Sequence, residues 1–115
     1  MNLIQEYIDL ARICAITNYA NEISVEQHNQ SVDRMSEIAE KIGHEQTLEI
    51  VEDFTKLLEV TTYNTNIWAA VHILERIPVN KSVKEKALNI IEQFADGDSA
   101  DSFGFRIWLD NFKMK

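Results

Sequence analysis

Proline occurs once and glycine three times in 115 residues, too few to punctuate a many-stranded sandwich or barrel. A helical chain has little use for either residue. Cys14 is the only cysteine, which forbids an intrachain disulfide and a thiolate metal cage. Its neighbours at helical spacing are Ile8, Ala11 and Ala15, which predicts burial rather than thiol chemistry. No run approaches the ~18 to 20 apolar residues of a membrane span. The start of the chain has no basic stretch and meets Glu6 and Asp9 early, so no cleaved signal is expected and the expected compartment is the cytoplasm. Positive charge is also scarce: 11 Lys and Arg stand against 19 Asp and Glu, a net charge of −8. That balance argues against a protein that tracks nucleic-acid phosphates.

Signatures of catalysis are missing as well. His28, His44 and His72 do not stand in H-E-x-x-H or E-x-x-H, since positions 25, 41 and 69 are Val, Lys and Ala. The run from Asp96 resembles a calcium loop, but Asp101 occupies the glycine position and Ile107 the position of the bidentate glutamate. No phosphate-cradling or nucleophile-elbow glycine motif occurs. Carboxylates are plentiful, yet on exposed helical faces nothing separates their pKa values for acid and base roles. Neither a cofactor nor a metal is expected, and the function class indicated is binding rather than catalysis.

What the chain does have is apolar periodicity. With 45% hydrophobic and 26% charged residues it has the composition of a folded globular domain, and its length suits one domain over residues 1–115. Six segments show apolar residues at three- and four-residue spacing. The first runs from about Asn2 to Thr17, with Tyr7, Ala11 and Cys14 inward. Ser24-Val25-Glu26-Gln27 has the form of a capping box, which predicts a second helix from Val25 to a glycine stop at Gly43, with His28 on its apolar stripe and His44 in the loop beyond. A third helix follows through Leu48, Val51, Phe54, Leu57 and Leu58. A fourth starts near Asn64 or Thr65 and stops before Pro78. Ser82-Val83-Lys84-Glu85 forms a second capping box and opens a fifth helix, closed by Asp96-Gly97-Asp98. The sixth extends from about Ser99 to Phe112, with Gly104 lowering its early helix propensity. Short connections make sequential helices antiparallel hairpins. The expected fold is therefore all-α, about six helices stacked as a HEAT-like α-solenoid, with a closed helical bundle as the alternative.

Charge divides the chain. Residues 1–60 hold twelve acids and four bases, whereas residues 61–115 hold seven of each, so the whole imbalance lies in the first half. On the second helix Asp33, Glu37 and Glu40 share a face, and so do Glu45, Glu49, Glu52 and Asp53 in the third segment. Like charges at these spacings repel by about a few tenths of a kcal/mol per pair. One reading is a solvated face that keeps the protein dispersed; the other is a docking surface for a basic protein. The neutral half holds most of the aromatic residues. Trp68 follows the polar turn Tyr63-Asn64-Thr65-Asn66 and has two roles open to it, core packing or a ring at a groove between helices.

The stretches Asn66-Ile67-Trp68-Ala69-Ala70-Val71-His72-Ile73-Leu74, Ala87-Leu88-Asn89-Ile90-Ile91 and Phe105-Arg106-Ile107-Trp108-Leu109 resemble a family of small bacterial HEAT-like helical-repeat proteins. Asn29-Gln30-Ser31-Val32-Asp33-Arg34 suits the second helix of that family, and the resemblance spans residues 25–110. Trp68 stands where such repeats usually carry an arginine. Small acidic helical proteins of this kind are also similar to immunity proteins that neutralise bacterial toxins. The resemblance implies no catalytic residue. It implies a non-catalytic inhibitor whose acidic surface covers a basic toxin domain such as a nuclease; the alternative is a small adaptor or self-associating helical domain. The partners expected are thus a basic protein, with no nucleic acid and no membrane, and a monomer or homodimer as the assembly.

Overall fold

The computed structural model describes residues 2–45, 48–97 and 100–113. Among them lie six α-helices and no strand: α1 (Leu3–Ala15), α2 (Glu22–Glu45), α3 (Leu48–Thr55), α4 (Thr65–Arg76), α5 (Lys81–Ala95) and α6 (Ala100–Lys113). Two 3-10 turns, Lys56–Glu59 and Thr62–Asn64, join α3 to α4. The protein is all-α. No helix among the described residues is long and apolar enough to cross a membrane.

Helix starts follow asparagine rather than serine. The Asn2 side chain accepts hydrogen bonds from the amides of Ile4 and Gln5 and caps α1. At α2 the side chain of Asn21 accepts from the Ser24 amide at 3.0 Å, so the helix begins at Glu22 instead of Val25. The Ser24 hydroxyl is already engaged, accepting from the Asn18 amide at 2.8 Å and closing the α1–α2 turn. At α5 Asn80 accepts from the Val83 amide at 2.9 Å, so Ser82 lies inside the helix. In both places asparagine, an equally strong cap, lies upstream of the serine and opens the helix earlier.

Gly43 does not end α2. The helix runs through it to Glu45, which also places His44 on a helix rather than in a loop. The glycine has another use: a Cβ built there would fall on the Arg76 carbonyl oxygen and touch the Ile77 backbone. Lacking a side chain, Gly43 lets α2 approach the last turn of α4 at main-chain distance. Gly104 lies within α6, and nothing among the described residues stands within 4 Å of where its Cβ would be. The expected termini at Asp98 and Ser99 fall outside the described residues.

α4 is the hub, packing against α1, α2, α3 and α5, while α1 pairs with α2 and α5 with α6. Its core face consists of Ile67, Ala69, Ala70, Val71 and Ile73, all buried. The two alanines allow close approach on that face, and the helix stops at Ile77 because the next residue is Pro78. Tyr7, Ala11 and Cys14 from α1, and Met35, Ile38, Ala39 and Ile42 from α2, complete one side of the core. Ala15, expected on the same stripe as Cys14, is exposed instead.

One polar chain crosses this core. The buried His72 of α4 lies with Nδ1 2.5 Å from the Tyr7 hydroxyl and Nε2 3.3 Å from the Ser36 hydroxyl. Each ring nitrogen is thus paired with a hydroxyl, and α1, α2 and α4 are thereby tied together. Burial, aided by the nearby Arg76 guanidinium, pushes the His72 pKa down to about 4. Burial also raises the Tyr7 pKa well above its usual value.

Candidate functional site

The order serine, histidine, tyrosine in that chain invites comparison with a catalytic triad, but its electrostatics point away from one. A base held near pKa 4 is a weak proton acceptor at neutral pH. A phenol that resists ionisation offers no negative charge to stabilise an imidazolium. Ser36 also lies outside the aromatic cleft described below. The arrangement satisfies both ring nitrogens of a buried histidine.

The acids singled out by sequence stand outward. Asp33, Glu37 and Glu40 are exposed on α2, Glu45 ends that helix, and Glu49, Glu52 and Asp53 are exposed on α3. Local bases meet three of the seven. Arg34 lies 3.2 Å from Glu37 and, through a closer bidentate contact, holds Glu6 at 2.7 Å and 3.1 Å. Glu40 has Arg76 and His44 each at 3.9 Å, and Asp53 has Lys56 at 3.6 Å. Asp33, Glu45, Glu49 and Glu52 have no base within 4.0 Å among the described residues. Exposed pairs of this kind contribute about 0 to 1 kcal/mol each. The Arg34 hydrogen bond lowers the Glu6 pKa.

Trp68 stands elsewhere. It is half-buried on α4 and forms part of the wall of a cleft of about 510 Å³. The cleft lies among α1, α2, α4, α5, α6 and the turn before α4, and its aromatic walls include Tyr19, His28, Tyr63, Phe105 and Trp108. No Lys, Arg, Asp or Glu among the described residues lines it. The rings meet at steep angles: Tyr19 and His28 at 58°, His28 and Trp68 at 62°. Phe105 is held edge-on by Phe94 at 81°. Trp108 is fixed by stacking on Phe112, with centroids 5.0 Å apart, and by donating its indole N–H to Glu75 at 3.1 Å.

Two further features define the rim. Tyr63 and Asn64 both adopt left-handed backbone conformations, with φ of 58° and 56°. For a tyrosine this is strained by about 1 kcal/mol or more. The strain is held by neighbouring bonds: Asn64 N–H donates to the Thr61 carbonyl, Asn66 N–H to the Val60 carbonyl, and the buried Thr65 hydroxyl to the Thr62 carbonyl. The second feature is the state of His28. The Thr17 hydroxyl lies 3.1 Å from the Ile13 carbonyl and 3.1 Å from His28 Nδ1. A carbonyl only accepts, so the single hydroxyl proton goes to Ile13, and His28 Nδ1–H must donate to Thr17 Oγ1. In the neutral tautomer with Nδ1–H, Nε2 is the nitrogen that accepts. That atom has no hydrogen-bond partner among the described residues.

Sequence reasoning placed Trp68 at a groove as one of two roles but missed Tyr19, Tyr63 and the assignment of His28 to the same site. A signal for Tyr63 was the pair Tyr63-Asn64 itself, because asparagine tolerates the left-handed region that tight turns require. Nothing in the order of residues indicated that Tyr19 and Trp108, nearly ninety positions apart, share a wall. Among the described residues no group of three or more His, Cys, Asp or Glu side chains is placed to hold a metal ion. An exposed apolar set, Ile16, Tyr19 and Ile23, surrounds the α1–α2 turn beside the cleft. No protein-family model, curated protein or solved structure matches this chain.

Proposed function

We propose that this chain is a non-catalytic binding protein of the immunity type, which docks the acidic face of α2 and α3 onto a basic toxin domain in the cytoplasm. The observation that carries the reading is the set Asp33, Glu45, Glu49 and Glu52, which face outward with no base within 4.0 Å among the described residues. Repulsion among such residues costs some stability, and a cationic partner relieves it. Glu37, Glu40 and Asp53 extend the face, with local bases that a partner's arginines can displace at small cost. The test compares wild type with a Glu37→Lys, Glu49→Lys, Glu52→Lys triple variant as affinity bait at low and high salt. The reading requires a cationic protein retained by the wild type alone and released by salt; equal retention by the variant defeats it.

A second reading, a self-associating or adaptor domain, is favoured by the exposure of Ile16, Tyr19 and Ile23, each about 70% accessible. Exposed apolar groups gathered at one turn commonly mark a contact surface. Sedimentation of wild type and an Ile16→Ser, Ile23→Ser variant separates the two readings. Apolar association persists at high salt and vanishes in the variant, whereas charge-driven association does the reverse.

A further inference from the structure

We propose that the aromatic cleft is a binding site for a planar nitrogen heterocycle, neutral or positively charged, that donates an N–H hydrogen bond to His28 Nε2. Four observations narrow the ligand to this class. The cleft volume of about 510 Å³ lies within the range of roughly 300 to 1,000 Å³ occupied by small-molecule sites. Half of its lining residues carry rings, with Ile67 and Val71 among the rest, and rings favour flat or cationic guests through stacking and cation–π attraction. Charge decides against anions: no Lys or Arg among the described residues lines the cleft, and the chain carries a net charge of −8. A cation is drawn toward such a site and an anion is repelled.

The fourth observation sets the hydrogen-bonding sense. Thr17 uses its only proton on the Ile13 carbonyl and so holds the neutral His28 ring with its proton on Nδ1. Nε2 is left as an acceptor without a partner among the described residues. An acceptor in an aromatic wall selects a ligand that brings a donor, because one that cannot donate leaves the nitrogen desolvated and unpaired. The strained Tyr63-Asn64 pair carries the Tyr63 ring at the rim. Strain of this kind concentrates where geometry serves recognition.

The chain supplies its own reporter. Trp68 and Trp108 are its only tryptophans, and both line the cleft, so every indole senses an occupant. The experiment titrates the full chain with 4-aminoquinoline, a planar cation with exocyclic N–H donors, and in parallel with 1-naphthoate, a planar anion of similar size. Calorimetry and tryptophan emission are read together. Saturable one-to-one binding of 4-aminoquinoline, with naphthoate at least tenfold weaker, is the result expected. His28→Phe keeps a ring but removes the acceptor and is expected to weaken binding by about tenfold. Gly104→Leu introduces bulk where a Cβ meets nothing, so the variant keeps its fold by circular dichroism and loses the site. Absence of saturable binding overturns the proposal, as does equal affinity for naphthoate or binding unchanged in either His28→Phe or Gly104→Leu. A dimer in sedimentation that Gly104→Leu disperses makes a second copy the occupant and likewise overturns it.

Discussion

Acidification should weaken this protein in a window that carboxylates do not explain. The ordinary pKa of a histidine is 6.5, and His72 is held at about 4 in the folded chain by burial and by Arg76. Between those values the unfolded chain binds a proton that the folded chain refuses, so stability falls as pH falls. The contribution of the neutral ring is complete above pH 6.5 and is lost once the pH reaches about 4. The difference corresponds to about 3 kcal/mol, a large share of the ~5 to 15 kcal/mol typical of a domain. Glu6, lowered below its usual 4.5 by Arg34, contributes in full above 4.5 and loses its favourable pairing as pH falls below that value. Urea unfolding at pH 7.5, 6.5, 5.5 and 4.5, on wild type and His72→Gln, checks this. The wild-type midpoint should drop steadily from 6.5 downward. The variant should start lower, because Tyr7 and Ser36 lose their fixed partner, and should stay nearly level to about pH 5. A wild-type midpoint that is level across this window, or a variant that keeps the wild-type slope, refutes the reasoning.

Five other positions probe the fold. Gly43→Ala forces a methyl onto the Arg76 carbonyl and should cost about 3 kcal/mol in denaturant unfolding, since neither main chain can yield cheaply. Asn80→Ala should cost about 1 kcal/mol and Ser82→Ala close to nothing by thermal melting, because the asparagine holds the cap of α5. Gly104→Ala should raise stability by about 0.5 to 1 kcal/mol, measured the same way, because the added methyl finds free space and improves helix propensity. Tyr63→Gly should relieve left-handed strain and gain about 1 kcal/mol in urea.

The helices were legible because their causes are local. The stripes through Tyr7, Ala11 and Cys14, and through Met35, Ile38 and Ile42, lie within single helices and are buried as their spacing requires. Helix ends were less legible. Gly43 has the chemistry of a terminator, but its purpose is a tertiary approach to α4 that no local pattern announces. The serine boxes at Ser24 and Ser82 were genuine capping sequences overruled by Asn21 and Asn80 three and two residues upstream. The exposure of the acids could be read from charge, whereas the pairing of Glu40 with Arg76 and Glu6 with Arg34 depends on how separate helices meet. The cleft was the least legible feature. Its walls come from distant parts of the chain, and its one informative acceptor follows from a threonine hydroxyl eleven residues before the histidine it orients.

The length of α2 joins the two candidate surfaces. This single helix carries His28 in the cleft wall near one end and Glu37, Glu40 and Glu45 toward the other. At 1.5 Å per residue, His28 and Glu40 are about 18 Å apart along a stiff rod. Gly43 wedges the far end of that rod against α4, so it has little freedom to slide or roll. A molecule seated at one end and a protein gripping the other would therefore have one continuous helix as their common footing.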